Sequence, residues 1–202
     1  MREKSKLVRI AYLTIFVGVM MLTACGKTPP ANFYTLQPVE RAALGNSISR
    51  DIALAVGPVA IPEEMDRAEI VTHEADNAVS FSEFHRWAGP LQASIASVLA
   101  QNIGSLLKTE RITPFTKENI FQPTHRVVVN INRYESRLSK EFLLNATWSI
   151  KDLAGRKPLL IRNSIIREPL TSANYEELVA AQSKALAELS QQIAAGIVEV
   201  VP

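Results

Sequence analysis

The chain has 202 residues, of which 47% are hydrophobic and 21% charged. That composition suits one folded domain with a tail and excludes a disordered or fibrous chain. The formal net charge is +2, but Arg2, Lys4, Lys6 and Arg9 lie within the first 24 residues with only Glu3 against them. Without that segment 18 basic and 19 acidic residues remain, a net of −1, so no basic stripe recommends nucleic acid as a partner.

The four N-terminal cations precede an apolar run from Ile10 to Leu22. This is the pattern of a secretory signal, and its roughly 13 apolar residues fall short of the ~20 that span a bilayer. Residues 1–24 are therefore expected to be a signal peptide. The run ends in Leu22-Thr23-Ala24-Cys25, which resembles the bacterial lipobox. Cys25 is the sole cysteine. It cannot form an internal disulfide, and a free thiol would be exposed to oxidation in an envelope compartment. The lipobox resemblance implies a diacylglyceryl thioether on Cys25, cleavage before it and acylation of its new amino terminus. Several acyl chains suffice for stable membrane anchoring. Gly26 stands where enterobacterial lipoproteins kept at the inner membrane carry aspartate, which implies an outer-membrane address facing the periplasm.

After Cys25 the segment 25–32 reads as a lipidated tether, since Pro29 and Pro30 disfavour helix and sheet alike. Residues 33–202 are expected to form one α+β domain. "FYTLQ" (33–37) reads as a short edge strand before Pro38. Ile52, Leu54 and Val56 alternate, and Val59 and Ile61 resume the alternation out of phase after Gly57-Pro58, which predicts a bulge. "AEIVTHE" and "NAVSFSE" read as two strands joined by a turn at 75–77.

The period changes at Trp87, which with Leu91, Ile95, Val98, Leu99, Asn102 and Leu106 makes one helical face, so a helix is predicted over 90–108 with Gly89 as N-cap and Pro90 first inside it. Residues 126–137 and 142–150 alternate as strands, and the loop "KDLAGRKP" leads to a third at 159–168, together an antiparallel meander. Asn174 and Glu177 stand at capping-box spacing before a long helix whose stripe is Tyr175, Leu178, Val179, Gln182, Leu186, Leu189, Ile193 and Ile197. The order predicts a two-layer sandwich, a mostly antiparallel sheet covered by two helices.

No motif of catalysis or metal binding stands out. His73, His85 and His125 have no partners at metal-ligand spacing, and neither a nucleophile elbow nor a phosphate-binding glycine loop is present. The chain is read as a non-enzyme with no metal and no cofactor beyond the covalent lipid of Cys25. Trp87 and Trp148 are read first as core residues.

The blocks "FYTL", "IALAVGPVAIPEEMDRAEIVTHEADNAVSFSEFHRWAGPLQASIASVLAQNI", "RVVVNINRYES", "LNATWSIKD" and "YEELVAAQSKALAELSQQIAAGI" together resemble the PqiC/YmbA-type lipoproteins, the ABC-type transport auxiliary lipoprotein family. The most specific points are Gly57-Pro58-Val59 with Pro62, Asp66-Arg67 with Ile70-Val71, and Arg86-Trp87 with Leu91. Glu64, Met65, Ala68 and Glu69 depart from the family's usual residues around Asp66-Arg67.

The resemblance implies a non-enzymatic component of an ABC transport system that pairs with mammalian-cell-entry (MCE) domain proteins and an inner-membrane transporter, moving lipids between membranes. It would dock the periplasmic conduit at the outer membrane. Tyr34, Asp66, Arg67 and Trp87 are the candidate partner surface, and self-assembly into a homo-oligomeric ring through the 33–37 edge is a further expectation. For Asp66 and Arg67 a turn-stabilising ion pair is the competing reading. Two other functions stay open: a lipoprotein chaperone or assembly factor for an outer-membrane protein, and an envelope hydrolase, which needs a polar constellation in a pocket that the sequence does not display and which alanine changes at Ser80, His85 and Asp66 would test.

Overall fold

The computed structural model describes residues 29–44, 52–75, 77–116, 120–155 and 157–201. The chain divides into two units, residues 1–30 and 31–202. Of the first unit only Pro29 and Pro30 are described, both exposed. The signal segment, the lipobox and Cys25 lie outside the described residues, as does Asp76 of the predicted 75–77 turn.

In the second unit the elements run β1 (Asn32–Tyr34), β2 (Leu54–Ala60), a 3-10 turn (Glu63–Met65), β3 (Glu69–Ala75), β4 (Ala78–Trp87), α1 (Leu91–Leu107), β5 (Ile112–Pro114), β6 (His125–Arg137), β7 (Glu141–Asp152), β8 (Pro158–Pro169) and α2 (Tyr175–Val200). This is the α+β architecture, with the helices on the sheet. The strands divide between two sheets, one ordered β1-β4-β3 and one ordered β5-β2-β6-β7-β8. The long pairings β6 with β7 and β7 with β8 are antiparallel, as the meander requires. The parallel pairings are short: β1 with β4, and β2 with both β5 and β6.

Burial follows from this arrangement. In β6 and β7 alternate residues turn inward, Val127, Val129 and Ile131 on one strand and Phe142, Leu144, Ala146, Trp148 and Ile150 on the next. The start of β2 is different: Leu54, Ala55 and Val56, with Ala53 just before them, are all fully buried, so successive side chains are covered on both faces there. Its register against β6 shifts between Val56 and Val59, the bulge expected at Gly57-Pro58. Gly57 has φ +131°, a conformation that a side chain rarely adopts, and a Cβ there would sit 3.1 Å from Phe115.

Helix α1 begins one residue later than predicted. Pro90 is its N-cap, and Lys108 closes it in a left-handed conformation while its amide bonds back to Gly104 and Ser105. Trp87 belongs not to this helix but to the end of β4, where it is buried at 6% exposure. At α2, Asn174 caps as expected, its side chain accepting from the Glu176 amide at 2.7 Å. Glu177 does not complete the reciprocal box. Its carboxylate instead takes both the amide and hydroxyl of Thr171 and of Ser172, and the Ser172 hydroxyl receives the Asn174 amide at 3.3 Å.

The two helices lie on the five-stranded sheet, α1 over β2 and β5 and α2 over β7 and β8. Two glycines permit the close approach. A Cβ on Gly104 would fall 2.8 Å from Ile112, and one on Gly196 2.8 Å from Trp148. Under α2 the Trp148 indole donates to Ser164 Oγ at 2.9 Å, and Ser164 donates to Gln192 Oε1 at 2.6 Å. The indole N–H of Trp148, the core's largest fully buried side chain, is thereby satisfied.

Candidate interaction surface

The three-stranded sheet gathers the residues singled out in the sequence. β1 lies parallel to β4 with Tyr34 paired to Trp87, and the Ala88 amide donates to the Tyr34 carbonyl at 2.8 Å. On the other side of β4, the Trp87 amide donates to Ala68 O at 2.7 Å. Asp66, Arg67, Ala68, Trp87 and Pro90 then line one shallow pocket of about 290 Å³. Three of the four candidate residues therefore share a pocket, and Tyr34 stands on the neighbouring strand. Trp87 is its buried floor, while Asp66 and Arg67 are its exposed rim.

Arg67 does not pair with Asp66 across the turn. Its guanidinium lies 3.7 Å from the centre of the Phe81 ring and 3.6 Å from Glu69, and Glu69 also receives Arg86 at 3.0 Å. The Asp66 amide closes the 3-10 turn on Glu63 O. Arg67 thus shields one face of Phe81, an apolar side chain that the sheet leaves half exposed beside Val79.

Tyr34 has partners that sequence reading missed. Its hydroxyl lies 2.8 Å from His85 Nδ1, and the His85 ring stacks on Tyr175 at 3.9 Å with planes 6° apart. Burial, with Glu176 and Tyr175 adding to it, pushes the Tyr34 phenol above its ordinary range. Tyr34 also forms one end of an apolar groove of about 380 Å³ between residues 34–39 and α2, floored by Val179 and Ala180. Here the segment after β1 is pinned by side chains: the Gln37 amide donates to Ser183 Oγ at 3.2 Å and the Val39 amide to Asn102 Oδ1 at 3.1 Å. The sequence carries no separate signal of this groove: Ala180, exposed here beside buried Val179, reads at helical spacing as part of an ordinary alanine-rich core stripe.

Ser80, His85 and Asp66 do not come together in one pocket among the described residues. His85 is engaged with two tyrosines, Asp66 belongs to the pocket at Trp87, and Ser80 lines a separate pocket with Thr72, His73, Arg137 and Lys140. Burial lowers the His73 pKa in that pocket despite the nearby Glu135. Glu135 is itself held below the usual carboxylate range, chiefly by the hydrogen bonds of Arg133, at 2.6 and 2.9 Å. Among the described residues no group of histidines and carboxylates could hold a metal ion, and no helix is long and apolar enough to cross a membrane.

The chain belongs to the family described as ABC-type transport auxiliary lipoprotein component, matched over residues 34–194. That family comprises membrane-anchored envelope lipoproteins that accompany transporters. Among solved structures the fold is similar to an uncharacterised protein at 17% identity, covering 84% of this chain and 99% of that one with a TM-score of 0.69. It is also similar to protein XCC0632 from Xanthomonas campestris at 14% identity, covering 81% and 93% with a TM-score of 0.67. A comparison with curated proteins gives no match.

Proposed function

We propose that this chain is the non-enzymatic, lipid-anchored subunit of an ABC/MCE-type system that moves lipid between the two membranes of the envelope. Cys25 carries the diacylglyceryl and amide-linked acyl chains, and holds the domain on the periplasmic face of the outer membrane. The domain docks the distal end of a conduit built from MCE-domain protein, which connects to the transporter in the inner membrane. The observation that carries this reading is the match of residues 34–194 to an auxiliary transport lipoprotein, starting nine residues beyond the lipobox cysteine. The surface proposed for the conduit is the end of the three-stranded sheet, with Tyr34, Asp66 and Arg67 at its rim and Trp87 holding the rim in place from below.

The test is crosslinking in living cells followed by purification from detergent-solubilised envelopes, comparing the native chain with Cys25→Ser. Recovery of an MCE-domain protein, reduced at least several-fold by Cys25→Ser, is the expected outcome. Recovery of an outer-membrane barrel alone would replace this reading with that of an assembly factor, and membrane-free Cys25→Ser that still captures the conduit in full would overturn the anchoring step.

A further inference from the structure

The five-stranded sheet ends in a strand with little protection against pairing with another chain. β8 runs for twelve residues, Pro158–Pro169, with β7 on one side and, among the described residues, no strand on the other. Edge strands are ordinarily kept apart by shortness, bulges, lysines or interior prolines. Here a bulge at Leu159 disturbs only the first turn-side residues, the prolines stand at the two ends, and from Leu160 to Glu168 the strand pairs with β7 without a break and holds no lysine or glycine.

The side chains point the same way. On the face turned away from the helices, rows across β6, β7 and β8 read Val128, Ser149, Ile161, then Asn130, Thr147, Asn163. The face is polar at its centre, where Asn132 donates to Thr147 and Asn163 donates to Asn145. At its rim Leu159, Ile161 and Ile165 are 42%, 61% and 56% exposed. Apolar side chains gathered at a sheet's rim would be buried by a neighbour arriving in the plane of the sheet.

We propose that β8 is a self-association edge, on which a second copy of this chain pairs antiparallel about a two-fold axis at Asn163, joining two five-stranded sheets into one of ten strands. The occupant follows from the self-complementarity of the strand. With Asn163 opposite its own counterpart, Ile161 lies opposite the second copy's Ile165, and the same pair recurs across the axis. Leu160 meets Ile166, and Arg162 meets Ser164.

Neighbouring registers are worse. Centring on Arg162 sets two guanidinium groups against each other, and centring on Ser164 sets Ile161 against Arg167 and Arg162 against Ile166. The cations of β8 also arrive compensated, Arg162 by Glu199 at 2.8 Å and Arg167 by Glu141 at 3.6 Å. β1 offers only three residues for such pairing. The pairing is independent of what the protein transports, because it uses neither Cys25 nor the rim of the three-stranded sheet.

Thiol crosslinking of the full-length chain in its envelope tests it, with the unaltered chain as background for Cys25. A single cysteine at the axis can react with its own copy only in a two-fold arrangement. Asn163→Cys, oxidised or bridged with a short bis-maleimide, is expected to give dimer in at least tenfold higher yield than Asn132→Cys, which stands on the same face away from the edge. Ile161→Cys and Ile165→Cys should each give little product alone and abundant product when co-expressed.

Adding Ile165→Arg to Asn163→Cys should remove the dimer while circular dichroism and the melting curve stay as in the parent; if that variant unfolds, the co-expressed pair still decides. Equal yields at Asn163 and Asn132 would overturn the proposal. So would crosslinks formed only between two distant positions, which mark a head-to-tail contact, or a mixed product with a different protein as the sole one.

Discussion

The Tyr34 hydroxyl lies 2.8 Å from His85 Nδ1, and this contact ties the first strand of the domain to the middle strand of its smaller sheet. Because β1 is only three residues long, its backbone pairing alone is a weak attachment. Tyr34→Phe is expected to lose about 1 kcal/mol, the net value of one such bond. His85→Ala should lose more, since the stack on Tyr175 goes with it. Urea unfolding of both single variants and the double variant checks this: a coupling of about 0.5–1 kcal/mol is expected, and strict additivity would mean the contact contributes nothing.

Gly196 gives a second prediction, one of packing. A methyl group there would meet Trp148 at 2.8 Å and Leu160 at 2.9 Å. Helix propensity alone would favour Gly196→Ala by up to about 1 kcal/mol, but overpacking a filled interface costs about 1–3 kcal/mol. The variant is therefore expected to be destabilised, and Gly196→Val more so. Thermal unfolding decides between the terms, and a raised melting temperature for Gly196→Ala would show that α2 can shift outward without cost.

How much of this was legible in the sequence depends on whether a residue's partner is local. The meander of β6, β7 and β8 was readable because each strand alternates over many residues and its partner follows directly in the chain. β5 was missed, since three residues pairing in parallel with distant β2 leave no period to read. Trp87 reads as part of the helical face because its spacing to Leu91 fits both a helix and a strand that ends just before one. The division into two sheets was equally hidden, as it rests on β4 choosing β1 and β3 as neighbours. Asp66, Arg67 and Trp87 were readable as a group through the family resemblance, whereas the roles of His85 and Tyr175 depend on a contact between β4 and the start of α2.

Glu177 makes the stability depend on acid. Four hydrogen bonds from Thr171 and Ser172 hold its pKa down to about 2 from an ordinary 4.5. A depressed carboxylate stabilises the fold fully above the unfolded value and loses that contribution as pH falls through the folded one, here between about 4.5 and about 2. Glu177→Gln is expected to be less stable than the parent at pH 7, with the gap closing toward pH 2. Denaturant unfolding at pH 7, 4 and 2.5 follows it, and a constant gap across this range would mean that charge plays no part in the cap.

Tyr134 gives the opposite sign, at the alkaline end. Its ring is buried and meets Phe142 edge to face at 4.7 Å, while its hydroxyl has no hydrogen-bond partner among the described residues. An unpaired buried hydroxyl costs about 1–3 kcal/mol, so Tyr134→Phe, which keeps the ring, is expected to leave stability unchanged or raise it by about 1 kcal/mol. Burial also pushes the phenol above its ordinary value of 10.0. A raised pKa means that the stabilising neutral form is fully effective below the unfolded value and is lost as pH rises beyond it. The parent should therefore lose stability above about pH 10 relative to Tyr134→Phe, in step with ionisation of the phenol in the unfolded chain. Unfolding at pH 7 and pH 10.5 separates the two effects: a destabilised Tyr134→Phe at pH 7 would reveal a partner for the hydroxyl, and parallel pH profiles would show that the phenol ionises as readily in the folded chain as in the unfolded one.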